Sequence, residues 1–359
     1  MRREFLQLAK TYKNQNPAGW YISEKLDGTR CFWDGGISRG VETERVPWAN
    51  TIHPKTGKKK DKIRPVSTGL WSRYGNPIMA PDWWLNQLPQ MFLDGELYAG
   101  RRNFQVLRSI ISKDIPDDEG WDRVKFAVFG SPPASQIFSP GEIKNTNFHK
   151  DIEIPEIKDF LAAREIAGVM EDFQFNNTFD FETELKILNN NIQTEGVCYL
   201  HLHKKLPNDY DSAKKIMDTY TDFVLSEGGE GIMLRKPDSI WLPKRTSTIL
   251  KFKPFSDDSG VVVGFTSGRQ TNKGSKLRGL IGAVVLDYNG KRLELSGFTD
   301  EERKFSTDEQ TKFAYENPGK DMPKTFQGKH FKVGDKIEFR YRELSNEGIP
   351  KEARYFRKV

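Results

Sequence analysis

Cysteine is scarce in this chain: Cys31 and Cys198 are the only two among 359 residues. Two isolated cysteines form neither a zinc-ligand pattern nor a disulfide framework. In a chain of intracellular character they are expected as free thiols. Histidine is nearly as scarce. His53, His149, His201, His203 and His330 show no metal or triad spacing. His201 and His203 stand two apart, and the expected setting is a strand that packs Leu200 and Leu202 inward. No apolar run approaches the roughly 18 residues of a membrane span. The opening Met1-Arg2-Arg3-Glu4-Phe5-Leu6 lacks the apolar core of a secretory signal. These absences argue against a zinc protein, a disulfide scaffold, a membrane protein and a secreted one. The expected setting is cytoplasmic or nucleoid-associated, or the host cytoplasm for a viral chain. No internal repeat is evident.

The length suits about two domains of roughly 150 residues. Hydrophobic residues make up 36% and aromatics 12%, as in a soluble globular protein. Lysine and arginine outnumber the acids 56 to 50, which permits a polyanionic partner without proving one. Short strands are expected over 20–26 and 30–33 around an Asp27-Gly28 turn. Further strands are expected at 91–93, 125–129, 197–203, 230–235 and 248–253, and helices at 104–112, 156–167 and 211–226. Residues 41–66, with Pro47, Pro54, Pro65 and the run Lys58-Lys59-Lys60, read as an insertion or mobile loop. Residues 130–155 read as a long loop. Pro254 to Gly260 marks the best domain boundary, giving domains 1–254 and 255–359. Beyond it come short strands and one helix-compatible stretch, 301–315, the grammar of a small β-barrel such as the OB-fold. The fold class is α+β.

Several constellations carry chemistry. Lys25-Leu26-Asp27-Gly28-Thr29-Arg30 puts an amine at the mouth of a strand, beside a backbone that can approach a ligand closely. Such an amine is a covalent nucleophile if burial and neighbouring cations lower its pKa. Asp94 and Glu96 share one face of a strand; like charges side by side serve a cation or remain a solvated strand end. Lys251 and Lys253 repeat the spacing with opposite sign and suit a triphosphate or a basic surface. Glu230 precedes Gly231 and an apolar strand, where it binds a metal, positions a nucleotide or simply turns the chain. Arg73 lies in the turn-rich Ser72-Arg73-Tyr74-Gly75. Only carboxylates are on offer as metal ligands, which suits Mg²⁺ or Mn²⁺ better than zinc.

The succession of these motifs, Lys-x-Asp-Gly-x-Arg, Ser-Arg, Asp-Gly-Glu, a Phe-containing strand, Glu-Gly-x-Met-Leu-Arg and Lys-x-Lys, resembles the covalent nucleotidyltransferases. Within them it looks most like the small two-domain ATP-dependent DNA ligases of bacteria and viruses. Ser23-Glu24-Lys25-Leu26-Asp27-Gly28, Leu93-Asp94-Gly95-Glu96-Leu97 and Gly297-Phe298-Thr299-Asp300-Glu301-Glu302-Arg303 carry the likeness in detail. It implies a nucleotidyltransferase (adenylation) domain of antiparallel sheets with flanking helices, then an OB-fold DNA-binding domain. It implies a catalytic set of Lys25, Lys251 and Lys253. The nucleotide would meet Glu24, Lys25, Arg30, Glu96, Phe129, Glu230, Lys251 and Lys253. Lys25 would take AMP from ATP, Arg30 would contact the ribose or the nick phosphate, Glu96 would hold the ribose hydroxyls and Phe129 would stack on adenine. Asp94, Glu96 and Glu230 would serve the metal. Arg73 would bind the 5′-phosphate at the nick.

Further DNA contacts are expected from Lys58, Lys59 and Lys60 and from Arg269, Lys273, Lys276 and Arg278. Arg354, Arg357 and Lys358 are candidates for the basic cluster that orients pyrophosphate. The family often places an acid after the stacking aromatic; here Gly130 follows Phe129. No extra DNA-binding domain precedes Lys25, so the chain is expected to grip nicked duplex DNA with less, as a monomer. Rival readings are an RNA ligase, an RNA-capping nucleotidyltransferase, or an inactive nucleic-acid-binding relative.

Overall fold

The structure, a computed structural model, describes residues 6–46, 48–52, 58–60, 63–132, 179–193, 195–270, 276–345 and 347–359. Phe5, Pro47, His53, Pro54, His149, Lys273, most of the loop expected over 130–155 and the helix expected over 156–167 lie outside the described residues. The chain divides into two compact units, Met1–Phe252 and Lys253–Val359.

In the first unit the described strands are β1 (Leu8–Thr11), β2 (Tyr21–Glu24), β3 (Thr29–Asp34), β4 (Leu70–Ser72), β5 (Phe92–Tyr98), β6 (Lys125–Gly130), β7 (Cys198–Leu200), β8 (Lys204–Lys205), β9 (Ile232–Arg235) and β10 (Arg245–Phe252). The helices are α1 (Asp82–Leu85), α2 (Phe104–Ile111), α3 (Asp118–Trp121), α4 (Phe181–Asn191) and α5 (Tyr210–Ser226). One sheet runs β1-β10-β9-β2-β8 and the other β4-β3-β5-β6-β7. Pairing is antiparallel except for β1 with β10 and β6 with β7.

Each sheet has its own core. α5 turns Ala213, Met217 and Val224 onto Trp20, Ile22, Leu234 and Leu250 of the first sheet, at the spacing of one helical face. The Asp209 side chain caps its start by accepting from the Ser212 amide. α2 buries Leu107, Ile110 and Ile111 against Leu93, Leu97, Phe126 and Val128 of the second sheet. Because alternate strand residues face opposite ways, Leu93 and Leu97 enter that core while Asp94 and Glu96 stay on the other face. Cys31 and Cys198 are both buried and unbridged.

The second unit holds β11 (Ser256–Ser267), β12 (Ile281–Tyr288), β13 (Lys291–Leu295), α6 (Asp308–Glu316), β14 (Lys336–Tyr341), the short pair β15 (Glu343–Leu344) and β16 (Pro350–Lys351), and β17 (Arg354–Lys358). The sheet order is β13-β12-β11-β14-β17. A bridge from Ser296 to Arg354 brings its two edges together, which closes the OB-like barrel. Register shifts bend the long β11 between Val262 and Gly264. Val262, Phe265, Leu286, Phe331, Ile337 and Phe339 fill the interior.

Four sequence expectations need correction. The segment 197–203 is not one strand: β7 ends at Leu200 and β8 starts at Lys204, and Leu202 is 75% exposed while His201 is buried. The leucines there do not alternate inward because the strand has already ended. The helix of 301–315 starts only at Asp308, where Thr307 caps it by accepting from the Gln310 amide. Glu302 is instead taken up by the Thr299 amide and hydroxyl, a closed turn that does not propagate. Residues 41–66 are not simply a loose insertion, since Val46 and Trp48 are buried and Trp48 packs edge-on against Phe32 and Trp71. Strand begins inside the boundary segment Pro254 to Gly260 rather than beyond it, since Ser256 to Gly260 pair with β14.

Candidate active site

The two sheets of the first unit line a cleft of about 910 Å³. β2 runs out at Glu24, and Lys25 follows with its amide donating to the Gly231 carbonyl at 2.8 Å. The Lys25 Nζ donates to the Glu230 carboxylate. Glu230 sits in the turn Gly228-Gly229-Glu230-Gly231, which enters β9; Gly228 at φ +80° needs the freedom of a glycine. After Lys25 the chain turns at Asp27-Gly28 into the second sheet. A Cβ on Gly28 would lie 2.2 Å from the Leu97 carbonyl oxygen and 2.7 Å from Glu96 Cγ. Only glycine lets the turn after Lys25 pass this close to β5.

Across the cleft, Arg30 forks onto Asp94 with two bonds of 2.6 Å and donates a third, of 3.1 Å, to the Gln7 carbonyl. Asp94 is almost fully buried and also accepts from Trp241 Nε1 at 3.2 Å. Burial works against the Arg30 charge, but Asp94 more than offsets it and the guanidinium is held firmly protonated. The Arg30 guanidinium also lies over the Phe129 ring, 4.5 Å from its centre. Phe129 owes its position to a bulge: Asp94 pairs with Gly130 and Gly95 with Val128, which leaves Phe129 as the extra residue. Burial pushes the Glu96 carboxyl up to about 7, against the pull of Arg30 and Lys25 and with the push of Glu230 and Asp94. Lys251 lines the cleft from β10, opposite Met233 of β9. Arg73 lines it from the turn after β4, with its guanidinium 4.7 Å from the Tyr74 ring centre.

The cleft thus gathers Lys25, Arg30, Arg73, Asp94, Glu96, Phe129, Glu230 and Lys251. Lys253 is not among its lining residues. β10 ends at Phe252, so the two-residue alternation that would have paired Lys253 with Lys251 stops short, and Lys253 opens the second unit. Glu24 turns its carboxylate to Arg101, with bonds of 2.9 and 2.7 Å.

Besides Arg73, the first unit carries the expected DNA contacts Lys58, Lys59 and Lys60. Lys58 is exposed, Lys59 pairs with Glu44 at 2.7 Å, and Lys60 holds Asn76 Oδ1 at 2.9 Å. In the second unit, Arg269 is exposed and Lys276 pairs with Asp300 at 2.9 Å. Arg278 lies over the Tyr315 ring at 4.0 Å. Arg354 begins β17, Arg357 forks onto Glu338 and Lys358 pairs with Asp335.

Residues given no site role by the sequence also line the cleft, among them His201 and His203, expected only on a strand that packs its leucines inward. Burial pushes both rings down, His203 to about 3, so they are neutral. Gln7 lines it as well, and nothing in its local sequence marks it, whereas Arg235 closes the Glu-Gly-x-Met-Leu-Arg motif and also lines the cleft. Among the described residues, no group of three or more His, Cys, Asp or Glu could hold a metal ion. Both Asp94 oxygens are taken by Arg30 and both Glu24 oxygens by Arg101, and the other carboxylates lining this cleft are Asp27, Glu96 and Glu230. That donor set fits Mg²⁺, which binds one or two carboxylates and completes its shell with water and phosphate oxygens.

Comparison with known proteins places these features. Residues 273–358 match the family described as DNA ligase OB-like domain. The protein named DNA ligase from Haemophilus influenzae is 23% identical over 353 residues, covering 98% of this chain and 91% of that one. A structure from work on DNA binding with a minimal scaffold by Lig E DNA ligases superposes with a TM-score of 0.61 at 22% identity, covering 99% of this chain and 98% of the other. The structure named Pmar-Lig_PreS3 gives 0.55 at 19% identity, over 98% of this chain and 67% of its own. Across nearly its whole length the chain is therefore similar to minimal DNA ligases, and its fold is theirs.

Proposed function

We propose that this chain is an ATP-dependent DNA ligase that seals nicks in duplex DNA through a lysyl-AMP intermediate. The observation that carries the proposal is Lys25 Nζ bonded to Glu230 at the meeting of two sheets, in one cleft with Arg30, Glu96, Phe129 and Lys251. The DNA ligase names of its relatives and the motif order support the same reading.

In the first step the Lys25 amine attacks the α-phosphorus of ATP. The N–P bond forms, the bond to pyrophosphate breaks, and the amine's proton leaves to Glu230, its bonded acceptor. Lys251 neutralises charge gathering on the α-phosphate. Phe129 offers its ring to adenine, and Glu96 accepts from the ribose hydroxyls. Mg²⁺, held by Glu96 and Glu230 with the phosphates, would supply further neutralisation of the leaving group. In the second step an oxygen of the DNA 5′-phosphate attacks the same phosphorus; the N–P bond breaks and the lysine recovers its proton. Arg73 holds that 5′-phosphate at the rim. In the third step the neighbouring 3′-hydroxyl attacks the 5′-phosphate, the backbone closes and AMP departs.

The test is incubation with α-labelled ATP and Mg²⁺, then joining of a nicked duplex. Label is expected on the wild-type chain and absent from Lys25→Ala; label persisting on another lysine would sink the assignment. GTP in place of ATP, or joining of RNA alone, would redirect it to the capping or RNA-ligase reading.

A further inference from the structure

Lys25 follows the end of β2, on a long and flexible side chain, and where its backbone sits depends on the residue before it. That residue, Glu24, is fastened from the opposite sheet at both ends. Its carboxylate accepts two bonds from Arg101, at 2.9 Å from Nε and 2.7 Å from the terminal nitrogen. Its carbonyl accepts from His201 Nε2 at 2.9 Å. Arg101 follows β5, between Gly100 at φ +91° and Arg102 at φ +63°. His201 follows β7, and its own amide is held by the Val128 carbonyl at 2.7 Å. Both therefore belong to the sheet that carries Arg30, Asp94, Glu96 and Phe129, whereas Glu24 and Lys25 belong to the other.

The loop bearing Glu230 rests on the same pair. A Cβ on Gly229 would stand 2.9 Å from Glu24 Oε1 and 2.5 Å from Val224 Cγ1. Arg101 also stands 3.9 Å from Glu227 at the end of that loop's helix.

We propose that Arg101 and His201 are positioning residues for the nucleophile: by pinning Glu24 they fix Lys25 and Glu230 in register with the nucleotide-binding sheet. The proposal rests on the ligase reading above. The pinning bonds are of the kind that hold geometry. A bidentate arginine–carboxylate pair fixes direction as well as distance. The His201 ring is kept neutral by burial, so Nε2 carries the proton that the Glu24 carbonyl accepts. Neither side chain needs to touch ATP for its loss to matter, since a displacement of about 1 Å at a reacting atom costs on the order of a hundredfold in rate.

The test separates the steps. Single-turnover formation of lysyl-AMP is followed in the full chain across ATP concentrations, beside sealing of a nick that already carries 5′-adenylate, a step without attack by Lys25. Arg101→Ala is expected to slow adenylylation by about ten- to a hundredfold with the ATP concentration for half-maximal rate little changed. Sealing of the adenylated nick should stay within about threefold. His201→Phe should fall in the same direction by less, and Arg101→Lys should recover part of the loss. Arg101→Ala adenylylated at the wild-type rate would overturn the pin. So would an equal fall in both steps for the well-folded Arg101→Lys, which would mark a general structural role. If the wild-type chain takes no label at all, the ligase reading fails and the pin fails with it; if it takes label but the variants match it, only the pin fails.

Discussion

Glu96 and His203 line one cleft, yet their environments move them in opposite senses on a pH scale. The Glu96 carboxyl is raised from 4.5 to about 7 by burial. Between those values the folded chain holds a proton that the unfolded chain has lost, so this group's contribution to stability falls as pH rises through the window. The His203 ring is lowered from 6.5 to about 3, again by burial first and then by His201. There the unfolded chain binds the extra proton, and stability rises with pH between 3 and 6.5. Melting curves across pH should therefore separate two variants: Glu96→Gln flattens the decline between 4.5 and 7, and His203→Asn flattens the rise below 6.5. Gly28 offers a residue-scale test of another kind. Gly28→Ala puts a methyl 2.2 Å from a backbone oxygen that cannot swing aside. It should cost about 1–3 kcal/mol in urea unfolding and slow labelling by ATP, since the shift falls three residues from Lys25.

The elements show where sequence pattern reaches its limit. α2 and α5 were legible because Leu107, Ile110 and Ile111, and Ala213, Met217 and Val224, repeat at the period of a helix. The Asp27-Gly28 turn between β2 and β3 was legible from its dipeptide. The break after β7 was not, because His201 and Leu202 carry no turn signal; just past the strand the His201 ring meets the Glu24 carbonyl, 177 residues away in sequence. The bulge that singles out Phe129 is likewise a fact about pairing between β5 and β6, invisible in either strand alone. Polar composition also hid the anchor of residues 41–66. Trp48 is 3% exposed, wedged against Phe32 and Trp71. Trp48→Ala should cost about 3–5 kcal/mol by denaturant unfolding, far more than removal of a loop side chain.

At the scale of the molecule, each unit closes its own core, the first around two sheets and the second within a barrel. Residues 253–359 expressed alone should therefore unfold as one cooperative transition, checked by agreement of near-ultraviolet and far-ultraviolet circular dichroism. The motifs of the first unit line one cleft, some from strand ends and turns, as Lys25, Arg73 and Glu230 do, and others from within strands, as Asp94 and Glu96 do. Both thiols of the chain are out of reach: Cys31 is fully buried, Cys198 is 9% exposed, and burial raises both of them. A single cysteine introduced on the surface of each unit would then be the only pair open to maleimide dyes, with no native thiol to remove first. Energy transfer between such dyes would report the distance from barrel to cleft unit as ATP, and then nicked DNA, is added.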